Sequence, residues 1–262
     1  MSTRDAVGPW LKIAPGAPEA RVRLAVFPYA GGAPAAFRNW PAALAPRVGL
    51  VHVVLPGRDV RFPETPVLRS EEIVGPVAEA LAPLDDRPLV LFGHSMGSML
   101  AFEVARRLRR SGRRGPDALV VSGRGAPQIG SRAPVLRHLP DAELVSQAAR
   151  LFGGIPEELL REPELLPLMV RVLRADLSVI ETHVVAPEEP LGCPILALGG
   201  TEDPWVTADE LGAWRDQTIA GFTSAQLPGD HFYFRTEEGE RRLLMMLLNC
   251  CAGVMARGTA AG

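Results

Sequence analysis

The stretch Gly93-His94-Ser95-Met96-Gly97 constrains the fold of this chain more than any other, because of what flanks it. Pro88-Leu89-Val90-Leu91-Phe92 reads as a buried strand, and Ser98 to Leu108 reads as an amphipathic helix. A strand that feeds a helix within five residues needs a sharp turn. Glycines two before and two after the serine leave no side chain to clash as the backbone doubles back. The Ser95 hydroxyl is then exposed at the carboxyl edge of a sheet. The Met96 N–H falls at a helix start, where unpaired amides and the helix dipole favour negative charge.

The rest of the chain supplies the sheet that such a turn requires. Apolar runs at about 22 to 28, 49 to 55, 88 to 93, 117 to 122, 193 to 199 and 222 to 227 alternate with helical segments, the pattern of a mostly parallel sheet covered on both faces. At 262 residues and 47% hydrophobic, the chain is long enough for one large α/β domain spanning 1–262. One segment breaks the alternation. Between about 127 and 190 no strand is evident, and Asp141 to Phe152, Glu157 to Leu160 and Pro163 to Ile180 read as consecutive amphipathic helices. Such an insertion is expected to lie over the strand ends near Ser95 as a lid, with Gly153-Gly154 as its hinge.

A serine hydroxyl is a poor nucleophile without a base, and the base needs an acid to fix its tautomer; on such a sheet the chain order is Ser, Asp, His. Cys193 to Gly200 reads as an apolar strand, and Asp203 follows it in a loop at the carboxyl end. Asp203 is the best-placed acid, with Glu202 and Asp230 as rivals. Phe222 to Leu227 alternates like a last strand, and Pro228-Gly229-Asp230-His231 turns away from it, which places the base at His231. Of the other histidines, His52 lies within a strand-like run, His138 and His183 fall in the helical segment, and His94 points the other way round the turn. The strand at 117 to 122 ends in Gly123-Arg124-Gly125 and offers no carboxylate. For the oxyanion, Leu24 to Phe27 leads into Tyr29-Ala30-Gly31-Gly32, where a glycine pair lets backbone approach a ligand closely. The expected donors are the amides of Ala30 and Met96.

Charge and cysteine usage narrow the function classes. A formal net charge of -2 gives no electrostatic footprint for nucleic acid. Arg106, Arg107, Arg109, Arg110, Arg113 and Arg114 read as a solvated, dipole-favoured helix end, with docking of an acidic partner as the alternative. Cys193, Cys250 and Cys251 lack metal-ligand spacing, and the last two read as small core residues of a final helix; no metal site is expected. No apolar leader region and no stretch of about 18 apolar residues is present, so a cytoplasmic protein with no membrane contact is expected.

The chain resembles the type II thioesterases, stand-alone α/β-hydrolases that work beside modular polyketide and nonribosomal peptide synthases. The residues that carry the likeness are Phe27-Pro28-Tyr29-Ala30-Gly31-Gly32, Leu55-Pro56-Gly57-Arg58, Gly93 to Gly97, Leu139-Pro140-Asp141, Leu173-Arg174-Ala175-Asp176, Gly200-Thr201-Glu202-Asp203 and Gly229-Asp230-His231-Phe232, spread over about residues 21 to 236. The resemblance implies the α/β-hydrolase fold and a Ser95, Asp203, His231 triad. It also implies hydrolysis of stalled or wrongly primed acyl groups from the phosphopantetheine arm of acyl or peptidyl carrier proteins, with no cofactor of its own. A monomer is expected. Tyr29, Phe152, Met169, Leu173 and Phe232 are the expected lining of the acyl channel, although at helical spacing residues such as Leu144, Leu151, Leu165, Leu168 and Leu177 fit a lid core equally well. Arg58, in a loop at a strand's carboxyl end, is the expected docking cation. A carboxylesterase or a cyclising thioesterase on the same fold is the alternative, and a non-catalytic binding module a more distant one.

Overall fold

The structure, a computed structural model, describes residues 8–15, 20–153, 164 and 166–260. Seven strands, β1 (Leu11–Ile13), β2 (Val22–Phe27), β3 (Val48–Val53), β4 (Leu89–His94), β5 (Ala118–Ser122), β6 (Ile195–Gly200) and β7 (Phe222–Leu227), form one sheet ordered β1-β3-β2-β4-β5-β6-β7. β1 runs antiparallel to β3, and the other neighbours are parallel. All six strands expected from the sequence occur. The additional strand, β1, was not anticipated: three residues at a sheet edge are too short to show a period.

Both faces of the sheet are covered, and alternation along each strand decides what goes where. Leu24 and Val26 of β2 join a core with Trp40, Leu44, Leu243 and Leu247, contributed by the helices α1 (Trp40–Leu44) and α7 (Glu237–Ala260), which follows the short α6 (Ala208–Gly212). Ala25 and Phe27 join the opposite core with Ile73, Val77, Leu100 and Val104, from α2 (Glu71–Leu81) and α3 (Met96–Arg110). Each large side chain buried this fully, Phe27 and Trp40 among them, contributes about 1.5–3 kcal/mol. From β2 the chain passes to β3 on one side and returns to β4 on the other. The strand order therefore reverses between β2 and β4, and open α/β sheets bind ligands at the carboxyl ends beside such a switch point.

Between β5 and β6 the described residues form α4 (Asp141–Phe152) and α5 (Leu166–Thr182) and no strand. The two helices pack through Leu136, Leu144, Val145, Val170, Leu173 and Leu177, so Leu144 is interior to this pair. The helix expected at 157–160, and Gly154 and Leu165, lie outside the described residues. Gly153 ends α4 with φ +68°, the left-handed conformation that suits glycine at a helix end.

The arginines at the end of α3 are only in part a solvated cluster: Arg107 and Arg113 are exposed, but three others converge on one carboxylate. Arg106 is buried, 2.8 Å from Glu103 and 2.7 Å from Glu188, and Arg109 and Arg110 reach the same Glu188 at 2.7 and 2.5 Å. Burial pushes the Glu188 carboxyl up, but hydrogen bonds from the three arginines outweigh it and hold the group below its ordinary value. Arg114 pairs with Asp117 at 3.0 Å. The sequence places Glu188 about 80 residues away, so the neutralising partner could not be seen from the run of arginines.

Candidate active site

Ser95 occupies the cap position of α3 with φ +54° and ψ −113°. Among the described residues only Asp59 is another non-glycine at positive φ, and such a conformation costs about 1–3 kcal/mol unless the surroundings enforce it. Here they do. The Ser95 N–H donates to the Ser122 carbonyl at 2.7 Å. The Ser98 hydroxyl lies 2.8 Å from both the Gly93 and Ser122 carbonyls and accepts the Ser122 N–H at 2.9 Å, stapling the turn to β5. A Cβ on Gly93 would collide with the Gly97 carbonyl, and one on Gly97 with the Phe27 carbonyl, so both glycines are sterically required.

His231 and Asp203 meet in the loops after β7 and β6. The His231 Nδ1 lies 2.8 Å from Asp203 Oδ2, with both side chains buried, and Asp203 Oδ1 accepts the Trp205 N–H at 2.9 Å. A carboxylate at Nδ1 fixes the proton there and leaves Nε2 as the basic nitrogen. The rival carboxylates are exposed, and Asp230 instead accepts the Phe232 N–H at 2.7 Å, shaping the turn that carries His231. Trp205, which the sequence did not single out, donates its indole N–H to the Leu151 carbonyl at 2.6 Å and packs on Phe152; Phe152 in turn packs on the His231 ring. The end of α4 is thus tied to the loop that holds the acid.

The loop after β2 is fixed from α5. The Gly32 N–H closes a turn onto the Tyr29 carbonyl at 2.8 Å, with Gly31 at φ +74°, and the Gly31 N–H donates to Asp176 Oδ2 at 2.7 Å. Arg58 grips the same carboxylate with two bonds of 2.7 Å and donates to the Gly32 carbonyl at 3.1 Å. Neither the Ala30 nor the Met96 N–H finds an acceptor among the described residues. Both amides are thus unpaired, one in this loop, which lines the same cavity as Ser95, and one on the residue that follows Ser95 at the start of α3. Arg58 is therefore no docking cation: it is buried against Asp176, a contact 118 residues apart in the chain.

Beneath His231 lies His94, fully buried, with ring centroids 4.9 Å apart. Burial, and then the charges of His231 and Arg235, push the His94 pKa well below its usual value, so it stays neutral. Its Nδ1 is 2.9 Å from the Ser122 hydroxyl, which is 2.7 Å from the Tyr233 hydroxyl. His94 is a structural support under the His231 ring. His52 is likewise neutral, pushed to about 4 chiefly by burial, and His183 bonds Ser70 at 2.9 Å.

Ser95 and His231 line one cavity of about 1430 Å³, and Tyr29, Phe152, Met169, Leu173 and Phe232 all line it too. Arg124 joins this lining; burial lowers its pKa to about 10, which leaves it charged at neutral pH. Among the described residues no group of three or more metal-ligating side chains is assembled, and no helix is long and apolar enough to cross a membrane. The cysteines are free, with Cys251 buried and Cys250 partly buried on α7.

Comparison with known proteins agrees with this geometry. A relative from Brevibacillus parabrevis, linear gramicidin dehydrogenase LgrE, is 39% identical over 232 residues, covering 87% of this chain and 88% of its own. That relative bears a dehydrogenase's name, yet the first parallel strand here turns through Ala30-Gly31-Gly32-Ala33-Pro34 and lacks the G-x-G-x-x-G of a dinucleotide site. The RedJ thioesterase of the prodiginine pathway in Streptomyces coelicolor superposes with a TM-score of 0.82 at 38% identity, over 90% of this chain and 94% of that one. The type II thioesterase BorB from the borrelidin biosynthetic cluster superposes at 0.80 with 34% identity, over 92% and 95%. The thioesterase-domain family profile matches residues 22–249. With an elbow serine and a histidine held by a buried aspartate on one cavity, and a thioesterase-domain match over most of its length, this chain belongs to the thioesterase family of α/β-hydrolases.

Proposed function

We propose that this chain hydrolyses acyl thioesters from the phosphopantetheine arm of acyl or peptidyl carrier proteins, clearing aberrant groups from a polyketide or nonribosomal peptide synthase. The observation that carries the reading is His231, held at Nδ1 by the buried Asp203, on the same large cavity as the strained Ser95. Ser95 Oγ attacks the thioester carbonyl as His231 Nε2 takes its proton, and the Ala30 and Met96 amides hold the oxyanion. The C–S bond then breaks, and the thiolate leaves with the proton from His231. Water, deprotonated by the same nitrogen, attacks the acyl-enzyme and frees the carboxylic acid and Ser95. Because a thiolate leaves readily, deacylation limits turnover.

The same reading makes α4 and α5 a lid on one hydrolase domain, with the acyl chain running along Phe152, Met169 and Leu173. It needs no cofactor, and it fits a monomer acting in the cytoplasm beside a synthase. Its test is hydrolysis of an acyl-carrier protein by purified protein, with Ser95→Ala as the comparison. Turnover is expected to drop by several orders of magnitude while the fold is retained, since triads act as a unit. Activity above a tenth of wild type in Ser95→Ala would place the nucleophile elsewhere.

A further inference from the structure

The cavity opens through a rim that is apolar and basic, with no core to account for it. Phe62 and Leu168 line the cavity yet are 47% and 41% exposed, and Val60, on the same turn as Phe62, is 69% exposed. They come from separate elements, the turn after β3 and α5, and Arg171 joins them by donating to the Phe62 and Glu64 carbonyls at 3.1 Å each. Arg171 lies three residues after Leu168, hence on the same helix face. Contiguous exposed apolar side chains at a cavity mouth mark a contact surface rather than packing.

Among the described residues, cations at this rim outnumber free carboxylates on the turn after β3. The carboxylates of that turn are already paired, Asp59 with Lys12 at 2.8 Å and Glu64 with Arg61 at 2.6 Å. Arg38, which lines the cavity, and Arg171 are exposed and have no carboxylate partner among the described residues. A second exposed apolar part of the lining, at Val135 and Val184, differs: the arginines flanking Val135 in the chain, Arg132 and Arg137, are matched to Glu210 and Glu181.

Building on the thioesterase reading above, we propose that the carrier protein docks on the Val60–Phe62–Leu168 rim, its acidic side chains facing Arg38 and Arg171. Its arm would then enter the cavity between Phe62 and Leu168. The complementarity is both apolar and electrostatic, and the electrostatic part steers encounter in a salt-dependent way. The loop after β2 lines the same cavity through Gly32, and Arg58, which grips that loop, lines it too.

The experiment compares kcat/KM for one acyl group on a carrier protein and on N-acetylcysteamine, at low salt, in Val60→Asp, Arg171→Glu and Ile129→Asp. None of these three side chains lines the cavity, and Ile129, 46% exposed, belongs to the chain segment that leads to Val135. Val60→Asp and Arg171→Glu are each expected to lose about 10-fold or more on the carrier substrate, as like charges oppose an acidic partner, with the small thioester within about 3-fold. Ile129→Asp should change neither. Val60→Ser and Arg171→Gln, which add no charge, provide the check should either first variant melt early. A carrier-selective loss in Ile129→Asp alone, or equal effects on both substrates at Val60 and Arg171, overturns the docking surface while leaving the hydrolase intact. Failure of the wild type on both thioesters overturns the function itself.

Discussion

At the scale of single residues, the acid is the sharpest test, because three carboxylates lie within reach of His231 in sequence and only Asp203 reaches it in space. Asp203→Asn is expected to lose at least ~10³-fold in turnover, since the amide cannot hold the imidazole in the working tautomer or stabilise its cation. Glu202→Gln and Asp230→Asn should each retain most activity; a crippled Asp230→Asn would transfer the role. Ser95, Asp203 and His231 were legible in the sequence because each follows a recognisable strand at a loop where such a sheet presents side chains. Ser98, Ser122 and Tyr233 were not, since their parts arise from contacts 24 and 111 residues apart. The same holds for Trp205, whose indole partner is 54 residues away. Local pattern reveals which backbone turns occur, and nothing in it reveals which distant group will hold them.

At the scale of elements, the six longer strands and the two described helices of the insertion followed from period and apolarity, whereas the tie between α5 and the loop after β2 did not. Arg58 reads as a solvent-facing loop cation in sequence. In the fold it and Asp176 are both buried, and the pair fixes the Gly31 amide. Asp176→Asn keeps the volume but leaves a guanidinium unmatched, so it should destabilise the protein by about 3–5 kcal/mol in urea unfolding. It should also lower kcat more than it raises KM, because the loop that presents the Ala30 amide loses its anchor. The double change Arg58→Met with Asp176→Leu separates the two effects: an apolar pair restores much of the stability. It cannot accept from Gly31, so kcat should stay low. Full recovery of kcat in the double variant would make the pair a purely structural contact.

At the scale of the whole molecule, two buried neutral histidines set the response to acid. His52 in β3 is 6% exposed with its pKa pushed down to about 4, first by burial and then by Lys12, against an opposing pull from Asp59. His94 is shifted in the same direction, chiefly by burial. Unfolded, each takes up a proton near pH 6.5; folded, neither does until well below that. The unfolded state therefore binds more protons between about pH 6.5 and 4, and stability is present above that window and lost as pH falls through it. By linkage His52 alone removes about 2 kcal/mol between pH 7 and 5, and His94 adds a loss of the same sign. The shifted carboxylates, Glu64, Asp86, Glu188, Glu210 and Glu238, all start from values of 4.5 or below and act mainly lower still, so this window belongs to the histidines. Urea midpoints at pH 7, 6 and 5 should decline steadily in the wild type. In His52→Gln the decline should be shallower by about one proton's worth, whatever the variant's absolute stability, because glutamine has nothing to titrate. An unchanged slope would mean that His52 takes up its proton in the folded state as readily as in the unfolded one.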